Sequence, residues 1–396
     1  MSHNHQDREG NMANHVISSL RAGHYEEQPE GFRAFLPADL PPDPPVVWSE
    51  SLSTRLEEAS LTLGRLDGLI QALSNPDRFV MMYVRREAVL SSQIEGTQSS
   101  LLDLLAAEAR ISMPDTPQDV SEVLNYVRAL NHGLGALDSR EISVPLLREL
   151  HGILLRETRG SELLPGELRD QQVWIGARHT PIAQAAYVPP PARVVARSLD
   201  SLVEYINLSK DLPALIWIGL VHVQFETIHP FFDGNGRLGR LLITLLLQQE
   251  GKLKHPVLYL SHYFKRRRPE YYAHLQDVRD TGSWENWLAF HLDGIADVAR
   301  RAVRDTQAIL ELREKHGQTI ARELAHQSGI GYVLLDNLFE RPVVTIRDVM
   351  RMLGVSYDVS RRLILKVASL GILVEIGGRK RNKAWLYRDY FNLISV

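Results

Sequence analysis

Cysteine is absent from the 396-residue chain. That excludes a disulfide framework, a thiolate zinc site and a cysteine nucleophile. It also fits a reducing compartment, and the cytoplasm is the expected location. A surplus of positive charge is missing too: 45 Lys and Arg face 48 Asp and Glu, a net charge of −3. No chain-wide basicity therefore marks nucleic acid as the partner of the whole molecule. Long apolar runs are lacking. The most apolar stretch, Leu241–Leu247, has seven residues, whereas a spanning helix needs about 20, so no membrane partner is expected. The N-terminus, MSHNHQDREGNMANH, is polar, carries acids and has no apolar centre, unlike a secretory signal. What is present, 44% hydrophobic and 23% charged residues, is the composition of a soluble globular protein of two or three domains.

The expected fold is mainly α. Residues 1–45 are polar and then rich in proline (Pro37, Pro41, Pro42, Pro44, Pro45), which forbids regular helix and reads as a flexible arm, with Trp48 as its packing residue. From Ser51 the residues Leu52, Leu56, Ala59, Leu63, Leu66 and Ile70 recur at helical spacing. Further helices are expected over 76–94, from about 97 to before Pro114, then over 120–137, 144–156, 192 onward, 213–227, 236–250, 269–280 and 283–315. Between them, Val173-Trp174-Ile175-Gly176 and Tyr187-Val188 read as a β-hairpin flap. The expected units are the arm (1–45), an N-terminal helical region (46–115), a catalytic core (116–315), and a linker with a C-terminal domain (316–396).

That C-terminal segment runs helix (Ile346–Leu353, capped by Thr345), turn (Gly354-Val355-Ser356), helix (358–370), then a hairpin of Leu373–Ile376 and Ala384–Tyr387. This is the order of a winged helix-turn-helix. From Pro342 onward it holds ten Lys and Arg against four Asp and Glu. Arg361, Arg362 and Lys366 lie on the second helix, and Arg379, Lys380, Arg381 and Lys383 at the tip of the wing. This is the charge footprint of a DNA contact. Protein docking and dimer formation are the alternative uses of such a unit.

The densest chemical signal is His229-Pro230-Phe231-Phe232-Asp233-Gly234-Asn235-Gly236-Arg237-Leu238-Gly239-Arg240. Glycines and an asparagine stand where a loop enters a helix, and bare amides there form an anion site. Arg237 and Arg240 are three apart and share a face, and guanidinium forks suit phosphates. Asp233 can hold Mg²⁺ while phosphates supply other ligands. His229, with an ordinary pKa near 6.5, can accept a proton. Base, metal carboxylate and phosphate cradle together suit transfer of a nucleotide or phosphoryl group to a hydroxyl. His222, further upstream, reads as a core histidine.

This run resembles, position for position, the HPFx(D/E)GNGRxxR signature of the Fic family, whose members are largely protein adenylyltransferases. The resemblance implies a Fic-type helical bundle and an enzyme that moves AMP from ATP to a Ser, Thr or Tyr hydroxyl of a protein target or of itself. By that resemblance His229 is the catalytic base, Phe231 a core anchor, and Asp233 the Mg²⁺ ligand. Gly234, Asn235, Gly236, Arg237, Leu238, Gly239 and Arg240 bind ATP, with Arg237 and Arg240 toward the β/γ end. Ser91-Ser92-Gln93-Ile94-Glu95-Gly96 matches the family's inhibitory motif (S/T)xxxE(G/N), which implies Glu95 facing Arg240 in the place of the γ-phosphate. The stretch 171–176 resembles the family's flap, with Ile175 and Gly176 bordering the nucleotide. Tyr271-Tyr272 resembles the tyrosine pair of its adenine pocket. A homodimer is a further implication of the resemblance. Another nucleotide or a phosphocholine donor, and a nucleotide-sensing DNA-binding regulator, are the alternative readings.

Overall fold

The computed structural model describes residues 20–73, 75–111, 116–177, 180–208, 211–377 and 383–395. The expected mainly α architecture is what it shows. Helix α1 (Glu50–Gln71) starts where the Ser49 side chain accepts the amide of Leu52, and it packs along α11 (Trp284–Leu324). Helix α2 (Pro76–Ile94) opens on a proline at its first position, where no amide is needed. It packs on α4 (Val120–Leu137), α9 (Ser261–Arg266) and α12 (Ser328–Glu340). Between α2 and α4 lies α3 (Leu101–Glu108), begun by a capping box of Ser100 and Asp103. The centre of the molecule is the pair α7 (Ala214–Ile228) and α8 (Asn235–Gln249). Every residue of α7 after Ala214 is buried, so α7 reads as a core helix rather than an amphipathic one. Helices α5 (Val144–Leu154), α6 (Ala192–Leu208) and α10 (Arg268–Thr281) surround this pair.

Three features extend beyond the sequence reading. Residues 20–45, read as part of an arm, contribute an antiparallel pair, β1 (Gly23–Glu27) and β2 (Arg33–Pro37). Arg21 anchors it to α11 with two bonds to Glu285 (2.9 and 3.1 Å) and bonds to the carbonyls of Pro44, Pro45 and Gly282. Trp48 is not a packing residue; it is 46% exposed. Second, α11 runs nine residues past its expected end, because His316, Gly317, Ile320 and Leu324 continue its buried stripe against α12. At about 1.5 Å per residue it is long enough to join the central bundle to the C-terminal unit. Third, the expected flap hairpin is narrower than read. It closes with one antiparallel bridge, Ile175 to Tyr187, because Pro181, Pro189, Pro190 and Pro191 cannot extend a ladder.

The C-terminal unit consists of β3 (Val343–Thr345), α13 (Ile346–Leu353), α14 (Tyr357–Ser369), β4 (Leu373–Ile376), β5 (Ala384–Tyr387) and α15 (Arg388–Ser395). The strands form an antiparallel sheet in the order β3-β5-β4. Thr345 and Asp348 make the capping box of α13. Arg379, Lys380 and Arg381 lie outside the described residues. No helix among the described residues is long and apolar enough to cross a membrane.

Candidate active site

The site forms where α7 hands over to α8. Helix α7 ends on His229, whose backbone turns left-handed at φ 49° while its amide still bonds Phe225. The following loop is held from both sides. Asn235 clamps it from within: its Oδ1 accepts the Phe231 amide (2.9 Å) and its Nδ2 donates to the Phe231 carbonyl (2.8 Å). The Asn235 side chain is thus committed to shaping the loop. Arg169 clamps it from outside, donating to the His229 carbonyl at 2.8 Å and to Pro190 at 2.5 Å. The Phe231 ring is wholly buried, as its anchor role requires, and stacks on His151 with centroids 3.8 Å apart.

His151 is a support that the sequence reading missed. Its Nδ1 accepts the Gly166 amide (2.8 Å), which leaves Nε2 as the protonated nitrogen, donating to the Asp233 carbonyl (2.9 Å). Burial lowers its pKa to about 4, so the ring stays neutral in that tautomer. Gly234 then takes φ 74°, opening α8, a backbone region where glycine costs least.

His229 itself is kept neutral. Burial pushes its pKa down to about 3, and the guanidiniums of Arg169 and Arg279 push the same way. A neutral imidazole is the form that accepts a proton. Arg279 is a further missed residue: it bonds the Thr227 hydroxyl (3.2 Å) and lies 3.7 Å over the Tyr187 ring.

Arg240 and Glu95 meet at the first turn of α8. Arg240 Nη2 is 2.5 Å from Glu95 Oε1, and the same guanidinium bonds Ser91 Oγ (2.9 Å) and the Ser91 carbonyl (3.1 Å). Burial works to raise the Glu95 carboxyl, but Arg240 overrides it and the group sits below the usual carboxylate range. Gly236 is required there: a Cβ on it would lie 2.3 Å from Glu95 Oε1. The carboxylate therefore rests directly on the start of α8, where an anion is favoured.

Arg237 points elsewhere. It forms a buried pair with Glu122 of α4 at 2.9 Å. Leu238 is wholly buried. Gly239 packs on the Glu226 carboxyl, which a Cβ would approach to 2.7 Å. Glu226, another residue missed in the sequence, is buried with its Oε1 unpartnered among the described residues. Burial raises its pKa to about 7. Tyr271 is wholly buried and donates to His222 Nε2 (2.8 Å), since His222 Nδ1 faces the Gly239 carbonyl at 3.2 Å. His222 is thus the satisfied core histidine expected. Only Tyr272, 39% exposed, offers an open ring. In the flap, Ile175 is 39% exposed and Gly176 is exposed beside it.

The residues present fit a single-carboxylate Mg²⁺ site. Asp233 Oδ1 accepts the Gly234 amide (2.6 Å), and Oδ2 faces Gly160, where a Cβ would intrude to 3.0 Å. One carboxylate oxygen is thus held and the other has clearance, which suits an ion completed by phosphates and water. Among the described residues no cluster of three or more carboxylate or histidine ligands exists.

Comparison with known proteins places these elements. Residues 53–135 match the Fic/DOC family N-terminal model, and residues 141–247 the Fic/DOC family model. A protein adenylyltransferase of Caenorhabditis briggsae is 28% identical over 169 residues, 42% of this chain and 30% of the relative. That of Drosophila willistoni is 27% identical, covering 62% and 49%. A probable protein adenylyltransferase of Aquifex aeolicus is 27% identical, covering 45% and 52%. These matches thus span from under a third to about half of the relatives' own length. Among solved structures, a Fic family protein from Desulfovibrio desulfuricans superposes with a TM-score of 0.57 at 20% identity, over 87% of this chain and 97% of that one. A Fic domain-containing signalling protein from Bacteroides thetaiotaomicron does so with 0.50 at 18% identity, over 64% and 95%. With both family segments in tandem, ending just past the loop that His229 opens, the chain belongs to the Fic/DOC family.

Proposed function

We propose that this chain is a cytoplasmic, Mg²⁺-dependent protein adenylyltransferase restrained by its own Glu95. The observation that carries this reading is the pairing of a neutral, half-buried His229 with an anion-accepting start of α8 occupied by the Glu95 carboxylate. The relatives named protein adenylyltransferase support the chemistry. The carboxylate holds the place of an ATP phosphate on Arg240 and Gly236, so ATP seats productively only when Glu95 withdraws.

In the reaction, His229 accepts the proton of a Ser, Thr or Tyr hydroxyl. The hydroxyl oxygen forms its bond to Pα as the bond from Pα to the bridging oxygen breaks, and pyrophosphate leaves. The bound triphosphate adds negative charge beside the imidazole, which moves its pKa back up from about 3 toward the range of an effective base. Asp233 would hold Mg²⁺, which supplies charge neutralisation for the phosphates. The amides opening α8 and the Arg240 fork position the chain's end of the triphosphate. Tyr272 borders the base, and the exposed edge at Ile175 and Gly176 accepts an extended target segment by strand addition.

The experiment is incubation with ATP labelled on the α-phosphate. The intact chain labels itself or a partner weakly, and His229→Ala removes labelling. Label transferred only from the γ-phosphate would replace this reading with a kinase-like one, and competition among the four nucleoside triphosphates tests the base.

A second reading, a DNA-binding regulator that senses nucleotide, draws on the C-terminal unit. Its strand and helix order is that of a winged helix-turn-helix, and Arg361, Arg362 and Lys366 share the exposed face of α14. Sequence-specific DNA binding without transfer activity would favour it.

A further inference from the structure

We propose a second ligand site, remote from His229: a groove between the end of α3 and the C-terminal unit that binds a nucleoside phosphate. The groove is a cavity of about 790 Å³, within the size of small-molecule sites, roughly 300–1,000 Å³. One wall is Arg110 and Ile111, just past α3. The other is Arg347 of α13, Tyr357 and Arg361 of α14, and Trp385 of β5.

Its charge is one-sided. The lining holds a single carboxylate, Asp348. That carboxylate is already engaged, by Arg351 at 2.5 Å and by the amide and hydroxyl of Thr345. Lys383, also in the lining, pairs with Glu375 at 2.8 Å. Arg110, Arg347 and Arg361 remain. None of the three has a side-chain hydrogen bond or ion pair among the described residues. Three guanidiniums facing one cavity repel one another, and an anion that bridges them removes that cost. Phosphate oxygens match their forks.

The remaining surface suits a base. Tyr357 is 48% exposed at the start of α14, and Leu365, two turns on, is 45% exposed on the same face. A half-open ring next to guanidiniums is a stacking platform for a nucleobase. The geometry selects a small ligand over a duplex. A DNA-reading helix needs open access to a groove about 12 Å wide, whereas this face of α14 looks across the cavity onto Ala109, Arg110 and Ile111. The site uses no residue of the catalytic pocket, so it stands or falls separately from the transferase reading.

The test is photolabelling of the full chain with 8-azido-ADP, followed by mapping of the labelled peptides. Label is expected on the segment carrying Tyr357, cleared by excess ADP and retained in Arg240→Ala, where the catalytic pocket is disabled. In Arg347→Ala/Arg361→Ala it should fall about tenfold, the effect of losing charge-assisted bonds, while label near Tyr272 persists. Both arginines are exposed, so the variant keeps its fold, and an unchanged melting curve verifies this. Arg361→Lys, which keeps the charge but not the fork, should fall between. The proposal is overturned by label confined to the catalytic segments, by Tyr357 label that is indifferent to the two arginines, or by a 20-base-pair duplex clearing that label where ADP does not.

Discussion

Glu95 Oε1 lies 2.5 Å from Arg240 Nη2, and Ser91, one helical turn before Glu95, accepts from Nε and Nη2 of the same guanidinium. Both residues therefore sit at the C-terminal end of α2, Ser91 in its last turn and Glu95 just past it, and Arg240 is held by three acceptors at once. On the proposed reading this contact competes with the terminal phosphate of ATP. Glu95→Gly should raise transfer of α-labelled AMP by about tenfold or more, since a charge-assisted contact of roughly 1.5–3 kcal/mol is removed from the restrained state. Ser91→Ala should raise it less. Labelling by a folded Glu95→Gly chain that stays at or below that of the intact one would sink the assignment.

Gly236 gives an independent handle on the same contact. A methyl there would stand 2.3 Å from Glu95 Oε1 and 3.0 Å from Arg240 Nη1. It fills the space of the carboxylate and of whatever replaces it. Gly236→Ala should therefore expel Glu95 without activating the chain. ATP affinity, measured by calorimetry, should drop about tenfold in the Glu95→Gly background as well. Tight ATP binding by the Gly236→Ala/Glu95→Gly chain would show that the phosphates lie elsewhere.

Arg237 separates a structural role from a ligand role. It is 1% exposed and pairs with Glu122, itself 4% exposed. Removing Arg237 leaves the buried Glu122 carboxylate with only the Thr97 hydroxyl at 3.4 Å and the exposed Arg159 at 3.9 Å, so Arg237→Ala should cost about 3 kcal/mol in denaturant unfolding. Arg237→Met with Glu122→Leu should recover most of that loss. If the double replacement restores stability but not transfer, Arg237 also contacts ATP. If it restores both, the arginine only joins α8 to α4.

Legibility followed the physics of each element. The stripe Leu52 to Ile70 and the buried run of α7 announced their helices, because helical periodicity and burial are local properties. Helix α11 was underestimated because its last turns bury only one residue in three or four, as at His316, Ile320 and Leu324, against a neighbour that follows it in sequence. Within the site, the loop from His229 to Arg240 and Glu95 were legible because their residue types are improbable together. The second layer was not. His151, Arg169 and Glu122 reach the loop from 60 to 107 residues before it and Arg279 from 39 residues after it, and nothing in their own neighbourhoods marks them. Asn235 was visible as a site residue, but that its amide would close on Phe231 depends on loop geometry. Tyr271 illustrates the converse: its burial against His222 is tertiary, so its sequence neighbour Tyr272 alone keeps an open ring.

His151 tests whether that second layer sets the loop. Its ring joins the Gly166 amide to the Asp233 carbonyl and stacks on Phe231. His151→Ala leaves two half-buried backbone groups unpaired, at about 1 kcal/mol each, and removes a ring stacked on Phe231, so unfolding should become easier by about 2–4 kcal/mol. Transfer in the Glu95→Gly background should fall through kcat more than through KM for ATP, because the misplaced group is Asp233 and the loop rather than the phosphate amides. Undisturbed kcat in a destabilised His151→Ala chain would reduce the histidine to a packing role.

The buried histidines set the acid limit of the fold. Burial is the leading cause of low pKa at His222 and His229 (about 3), and at His151, His262 and His291 (about 4). The unfolded chain protonates each below about 6.5, whereas the folded chain does not. Their contribution is present above pH 6.5 and is lost as pH falls toward 4. Glu87 and Glu226 act oppositely, with burial raising both to about 7. The folded chain keeps those protons while the unfolded one releases them above about 4.5, so their contribution fades as pH rises through 7. Five histidines outweigh two carboxyls between about pH 5 and 6.5, and the melting temperature should fall on acidification across that window. His291, with both ring nitrogens unpartnered among the described residues, isolates one proton of the five. His291→Leu should flatten the slope by about 1.4 kcal/mol per pH unit near pH 5.5, and a slope unaltered by this change would mean that His291 titrates normally in the folded protein.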